Sequence, residues 1–353
     1  MISFFPMKRK IAFLWGYCGI TYSGIQFNNE INTLEKKLID ILCKLQYISE
    51  KNAESAQKIK MKSASRTDKG VSAIFNVTIC KINQELTENI NQILKNEFSK
   101  AGFILYNIAR VPKTFIPYRS ARSREYKYFI PIGVLNKNIA KSQIDIMQSS
   151  ENYNISIEKF KHDTFEWLNK STSNTQIIDK LNFILNLFHG NHDFHNFTTQ
   201  NVQGTTIRYI KHIYANSIKK INGIEYVEVF LHGDSFIMHQ IRKMIAFAIF
   251  MCRNYDDNTI IEQYYNIIFS KNNYYIPKAP SEYLYLYNIH FDDFNKRTPY
   301  EKLSVDYDTI VNFETFIQSC ILTTQNLSQW IEFIINMEFK WKNVFYLNNK
   351  KEF

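Results

Sequence analysis

Apolar residues recur along this chain in two periods, and the switches between those periods mark out its elements. Residues 10–17, KIAFLWGY, form a nearly unbroken apolar run of strand length, with Gly16, Gly19 and Gly24 punctuating the loop behind it. From Thr33 the spacing turns helical. Leu34, Leu38, Ile41, Leu42 and Leu45 share one stripe, and Thr33 is placed to cap its start. Ala73, Phe75, Val77 and Ile79 alternate with mostly polar neighbours, the pattern of a half-buried strand. LTENINQILKNEF restores the helical period, with Leu86, Ile90, Ile93, Leu94 and Phe98 facing inward, and ILYNIARV (104–111) returns to a strand.

A comparable series occupies the second half of the chain. Residues 124–132 and 226–232 read as strands, and 157–169, 176–188 and 235–253 as helices. The order predicts an α+β fold in which helices layer on a mixed or antiparallel sheet. The stretch from Asn136 to Ile155 is polar and reads as a surface insertion. Past Phe291 the segment DDFNKRTPYEKLSVDYD reads as a charged loop, before a helical tail in which Trp330, Ile331, Phe333 and Ile334 pack back onto the body. The expected division is residues 1–115, an N-terminal α+β half; 116–291, a second such half; and 292–353, a C-terminal loop and helical extension.

Composition narrows the class of protein. At 353 residues the chain exceeds one small core, and 45% hydrophobic with 22% charged residues describes an ordinary globular protein. Forty-three Lys and Arg against thirty-three Asp and Glu leave +10, which favours a polyanionic partner. The five cysteines are scattered and show no CxxC pairing, which points to a reducing compartment and away from a cysteine zinc site. MKRK before an apolar run has the outline of a signal peptide, but the run is short, aromatic and broken by glycine, and it reads better as a first strand. No run approaches the roughly 20 apolar residues of a membrane span, so a soluble intracellular protein is expected.

Four stretches could carry chemistry. In SASRTDKGVSA (63–73), Arg66 and Asp68 project to one side if the segment is extended. Asp68 is then either a turn residue or a carboxylate available as nucleophile or base. In GDSFIMHQIRKMIAFAIFMC (233–252), Asp234 or Ser235 is placed to cap a buried helix with Arg242 and Lys243 at its entrance. A guanidinium there either finds an anionic partner, with Asp68 available, or snorkels to solvent. In ARSREYKYFIP (121–131), Tyr126 and Tyr128 share a strand face behind Arg122 and Arg124, an arrangement for stacking a base or for cross-strand packing. HGNHDFHNF (189–197) offers His189, His192, His195 and Asp193 for a metal, or Phe194 and Phe197 for packing in a turn. No Walker A loop, GxGxxG, GxSxG or kinase signature is present, which argues against ATP-dependent or nicotinamide chemistry.

In this order the motifs resemble the tRNA pseudouridine synthases of the TruA family, especially its eukaryotic multisite branch. GYCGITYSGIQFNNEINTLEKKL is similar to the branch's N-terminal block, ASRTDKGVSA to its RTD-G-V motif and RSREYKY to its Arg-x-Tyr strand. HDFHNFT, GDSFIMHQIRKM, IPKAPSEYLYL and LSQWIEF are similar to the later blocks. The resemblance implies a pseudouridine synthase fold: two ferredoxin-like α+β halves sharing a central, mostly antiparallel sheet with a basic cleft, plus a C-terminal helical extension. It implies isomerisation of uridine to pseudouridine in tRNA, at several positions in and near the anticodon stem-loop, extending to small nuclear RNA or mRNA. No cofactor and no metal are expected. By the same resemblance Asp68 is the essential carboxylate, and Tyr126 stacks on the flipped uracil and takes the C5 proton. Arg242 pairs with Asp68 and holds it ionised, Arg66 extrudes the nucleotide and contacts its phosphate, and Leu284 lines the base pocket. A monomer or homodimer without an obligatory protein partner or membrane is expected, in the nucleus before mitochondrion or cytoplasm.

Two positions depart from the family pattern. Tyr283 stands where a glycine commonly precedes the leucine, and Ser65 stands before Arg66 where Gly or Ala is frequent. The alternatives are a non-catalytic RNA-binding protein of the same fold and a histidine-metal nuclease built on residues 189–195, for which no separate carboxylate motif completes the ligand set beyond Asp193.

Overall fold

The computed structural model describes residues 9–83, 87–136, 175–199, 204–323 and 325–337. The helix expected over 157–169, most of the Asn136–Ile155 insertion and Leu86 lie outside them. Among the described residues nine strands run in chain order: β1 Arg9–Tyr17, β2 Lys62–Ser63, β3 Ser72–Ile82, β4 Phe103–Arg110, β5 Ser123–Pro131, β6 Gly190–Asp193, β7 Ile207–Ile221, β8 Ile224–Gly233 and β9 Leu284–His290. Pairing is antiparallel for β1 with β3 and β4, for β2 with β3, and for β7 with β6 and β8; β3 and β9 run parallel. The chain is thus α+β with mostly antiparallel strands. It forms two compact units, residues 1–126 with 285–321, and 127–284 with 322–353.

In the first unit β1 lies between β3 and β4, and Ile11–Trp15 and Tyr17 have no exposed surface. A strand buried on both faces reads as a continuous apolar run, as β1 does. Successive residues of a strand point to opposite faces. Trp15 therefore packs against Phe98 of helix Glu88–Lys100, with ring centroids 5.9 Å apart. Gly16 faces the other way, where an added Cβ would stand 2.6 Å from Phe313 of helix Tyr307–Ile321. Helix Leu34–Lys44 starts as expected, Thr33 Oγ1 accepting from Lys36 N at 3.4 Å.

In the second unit β7 and β8 form a long hairpin, Ile221 opposite Ile224, turning on Asn222 (φ +51°) and Gly223 (φ +83°). Asn-Gly is the residue pair that a tight two-residue hairpin favours. Helix Gln240–Asn254 is buried along Met244–Cys252, and Phe188, Phe194, Phe197 and Phe269 cluster beside it. Trp330, of helix Leu327–Asn336, has no exposed surface and packs on Tyr128 and Tyr283 at 6.0 and 5.3 Å. No helix of the described residues is long and apolar enough to cross a membrane.

Two local expectations are corrected. The helix expected to begin at 235 begins at Gln240, with His239 at its N-cap, because Asp234 N still bonds Tyr209 O of β7 and Gln240 Oε1 turns back to accept from Ile237 N. The expected loop after Phe291 contains helix Asp292–Arg297, whose two leading aspartates and trailing Lys296 and Arg297 complement the helix dipole.

Candidate active site

The segment SASRTD is delivered by a very short strand. β2 pairs with β3 through Lys62 and Ser63 alone, and Ala64 N adds one bond to Val77 O at 2.8 Å. There the ladder stops and the side chain of Asn76 continues it, accepting from Ser65 N at 3.3 Å and donating to Ser65 O at 3.0 Å. Beyond Ser65 the side chains alternate. Thr67 is buried and bonded to the Tyr17 hydroxyl at 2.9 Å, while Arg66 is exposed and Asp68 half-buried. The turn is closed by the main chain of Asp68, whose carbonyl accepts from Val71 N at 3.1 Å, and by Gly70 at φ +81°. Residues 22–25 brace it, with Gly70 N on Tyr22 O and Ile25 N on Thr67 O, both at 3.2 Å.

Tyr126 belongs to the same unit. It is buried, and its hydroxyl meets Ser65 Oγ at 2.7 Å. Two residues earlier on the same strand face, Arg124 donates to Ala64 O at 3.1 Å and Tyr118 O at 2.9 Å, so β5 grips the segment just before the turn. Burial pushes the Tyr126 phenol up. The Ser65 hydrogen bond and the Arg124 charge oppose the rise, and the Asp68 carboxylate adds to it. Tyr126 is thus a neutral phenol within electrostatic reach of Asp68. No hydrogen bond or ion pair holds Arg66 among the described residues; its charge weakly opposes the rise that burial imposes on the Glu35 carboxyl.

Arg242 and Leu284 lie in the second unit. Arg242 is the third residue of its helix, half-buried, with Nε donating to Ala279 O at 2.7 Å. It lines a cavity of about 340 Å³ with Lys278, Ser281, Gln329 and Phe333. Lys243 does not snorkel: it is 8% exposed and donates to Asn196 O at 3.2 Å and Thr198 O at 2.6 Å. Leu284 is buried at the start of β9, its amide on Ser281 O. Tyr283, at the family's glycine position, is not on the cavity wall; it is fully buried against Tyr226 and Trp330. The histidines of 189–195 do not converge. His192 Nε2 bonds His189 O, His195 Nε2 bonds Asn272 O, and Phe194 and Phe197 pack as expected. Sequence reasoning passed over Tyr17, Thr67 and Asn76; an amide inside the apolar alternation AIFNVTI was the available signal.

A basic α+β protein that holds a carboxylate within electrostatic reach of a buried phenol and exposes an arginine two residues before that carboxylate fits the class of RNA-modifying enzymes. Comparison with known proteins agrees. A family model described as tRNA pseudouridine synthase matches residues 184–292. A Schizosaccharomyces pombe protein provisionally named tRNA pseudouridine synthase is 30% identical over 317 residues, covering 84% of this chain and 74% of that protein. The mouse pseudouridylate synthase 1 homolog is 27% identical, covering 92% and 73%. The Saccharomyces cerevisiae tRNA pseudouridine(27/28) synthase is 28% identical, covering 80% and 85%. The chain belongs to the TruA-type tRNA pseudouridine synthases, isomerases that act on uridine in tRNA.

Proposed function

We propose that Asp68 is the carboxylate that drives this isomerisation, in uridines of the anticodon stem and its surroundings. In the reaction the N1–C1′ bond breaks, the uracil turns, and a C5–C1′ bond forms as C5 loses a proton and N1 gains one. Atoms balance without a second substrate. Asp68 acts on the ribose or base as nucleophile, or on the ribose as base. Tyr126 stacks on the extruded uracil and enters the reaction as a neutral phenol. Arg66 takes the phosphate of the flipped nucleotide, Arg242 supplies the guanidinium that the family resemblance assigns to the carboxylate, and Leu284 contacts the base. The observation that carries the reading is the alternation at the turn: Thr67 is anchored inward while Arg66 is exposed and Asp68 half-buried, within electrostatic reach of Tyr126. The target region rests on the yeast relative, whose name specifies positions 27/28 of tRNA; small nuclear RNA or mRNA substrates and nuclear residence extend the same proposal.

The test is tritium release from tRNA carrying 5-tritiated uridine, with a chelator present. Wild-type protein releases tritium, and Asp68→Ala abolishes release while leaving tRNA binding nearly intact. Full release by Asp68→Ala would sink the assignment. A non-catalytic RNA-binding role requires no release by the wild type.

A further inference from the structure

We propose that Tyr17 and Asn76 are positioning residues for the isomerisation, acting through one buried hydrogen-bond network that fixes the Asp68 turn relative to Tyr126; this rests on the Asp68 assignment above. Asn76 has no exposed surface and a complete set of partners. Its Oδ1 accepts from Ser65 N (3.3 Å) and Val77 N (2.8 Å), and its Nδ2 donates to Ser65 O (3.0 Å) and to the Tyr17 hydroxyl (3.2 Å). The amide therefore holds both polar groups of the Ser65 peptide, as a neighbouring strand would.

Donor accounting sets the direction of the next bond. The Tyr17 oxygen accepts from Asn76, and burial pushes the Tyr17 phenol up, so it keeps its proton. Thr67 Oγ1, at 2.9 Å, is the acceptor available to it. With the bond reversed, a phenol proton would be sealed in a fully buried site without a partner, which is costly. Tyr17 therefore donates to Thr67, and this bond together with Ile25 N on Thr67 O pins the residue that precedes Asp68. Ser65 extends the network to the Tyr126 hydroxyl. Residues 65 and 67 are anchors, and residues 66 and 68 are carried between and beyond them. The network thus fixes the turn that carries the carboxylate from side chains of strands β1 and β3 that have no exposed surface. None of the four network residues bears a charge, so their effect is geometric, and small misplacements of reacting groups are expensive.

The experiment compares Tyr17→Phe, Thr67→Val, the double variant and Asp68→Ala by tritium release and thermal unfolding, with kcat and KM for tRNA separated. Both single changes keep shape and remove one hydroxyl. Tyr17→Phe is expected to lower kcat roughly tenfold with KM unchanged, and the double variant to be no slower than Tyr17→Phe alone, because the two hydroxyls act as one unit. Wild-type kcat in Tyr17→Phe, additive losses in the double variant, or kcat losses that vanish when each variant is assayed well below its own unfolding temperature would overturn the positioning role. The two levels separate cleanly. An inactive Asp68→Ala with a normal Tyr17→Phe refutes this inference alone, whereas an active Asp68→Ala removes the assignment on which it rests.

Discussion

Replacing Gly24 by alanine tests whether the Asp68 turn must sit where the neighbouring loop holds it. Gly24 has φ +100°, and a Cβ there would stand 3.1 Å from Thr67 O and 3.4 Å from both Asp68 C and Lys69 N. The substitution carries two separable costs. Forcing an L side chain to positive φ costs roughly 1–2 kcal/mol wherever it is done. The 3.1 Å contact is shorter than ordinary van der Waals separation, so the turn itself must give by a few tenths of an ångström. Gly102 supplies the matched control, since it also has positive φ, +77°, but a Cβ there meets nothing within 4 Å. Both alanine variants are expected to lose about 1–2 kcal/mol in urea unfolding for the positive φ, with Gly24→Ala losing more because of its contact with the turn. Only Gly24→Ala is expected to lose turnover as well, about three- to tenfold, since a full 1 Å misplacement is worth about a hundredfold. Tritium release measured where both variants are folded gives the answer. Equal activity losses in the two variants, or normal turnover in Gly24→Ala, would show that the position of the turn does not limit the reaction.

Two more outcomes rest on single side chains. Arg66→Ala removes an exposed cation with no described protein partner, so stability is expected to stay within about 0.5 kcal/mol. Its tRNA affinity falls and the salt slope of log K shrinks by about one, read by anisotropy across a salt series; an unchanged slope would remove Arg66 from the phosphate contacts. For Lys243, burial and the Lys278 charge hold the ammonium down to about 8, against the ordinary 10.5. Between those values the unfolded chain binds the extra proton, so the penalty is fully present below pH 8 and fades as pH rises towards 10.5. Wild-type stability relative to Lys243→Met is therefore expected to increase from pH 7.5 to pH 10 in denaturant titrations, and a flat difference would contradict the buried charge.

Elements written in local periodicity were legible, and those written in partner choice were not. The apolar run of β1, the alternation of β3 and the capped stripe after Thr33 each carry their pattern within a dozen residues, and each element forms; β3, however, is buried on both faces rather than half-buried, its polar positions Asn76 and Thr78 being bonded inside. The β7–β8 hairpin has a readable sign in Asn222-Gly223, but the alternation of β7, the longest strand among the described residues, is not written plainly in its sequence. The parallel pairing of Ser72 with Tyr285 leaves no local trace, because nothing in either segment's alternation names the other. The same holds at the candidate site. Asp68 and Arg66 were readable as a charged insertion before a strand, but Tyr17 bonds Thr67 across 50 positions and Ser65 bonds Tyr126 across 61.

Turn residue and candidate catalyst are not alternatives at Asp68, because they engage different parts of it. The main-chain carbonyl closes the turn on Val71 N, and Gly70 at positive φ lets the chain enter β3. A turn made by the backbone leaves orientation to the side chains, and here the side chains alternate: Ser65 and Thr67 are buried and bonded, Arg66 is exposed and Asp68 half-buried. This also gives the departure at Ser65 a physical meaning. Glycine or alanine at that position has no hydroxyl to offer, whereas Ser65 adds a 2.7 Å bond to a phenol within electrostatic reach of both Arg124 and Asp68. Ser65 thus tightens the coupling between the turn and β5 while the main-chain hydrogen bonds to Asn76, which any residue but proline could make, keep the segment in place.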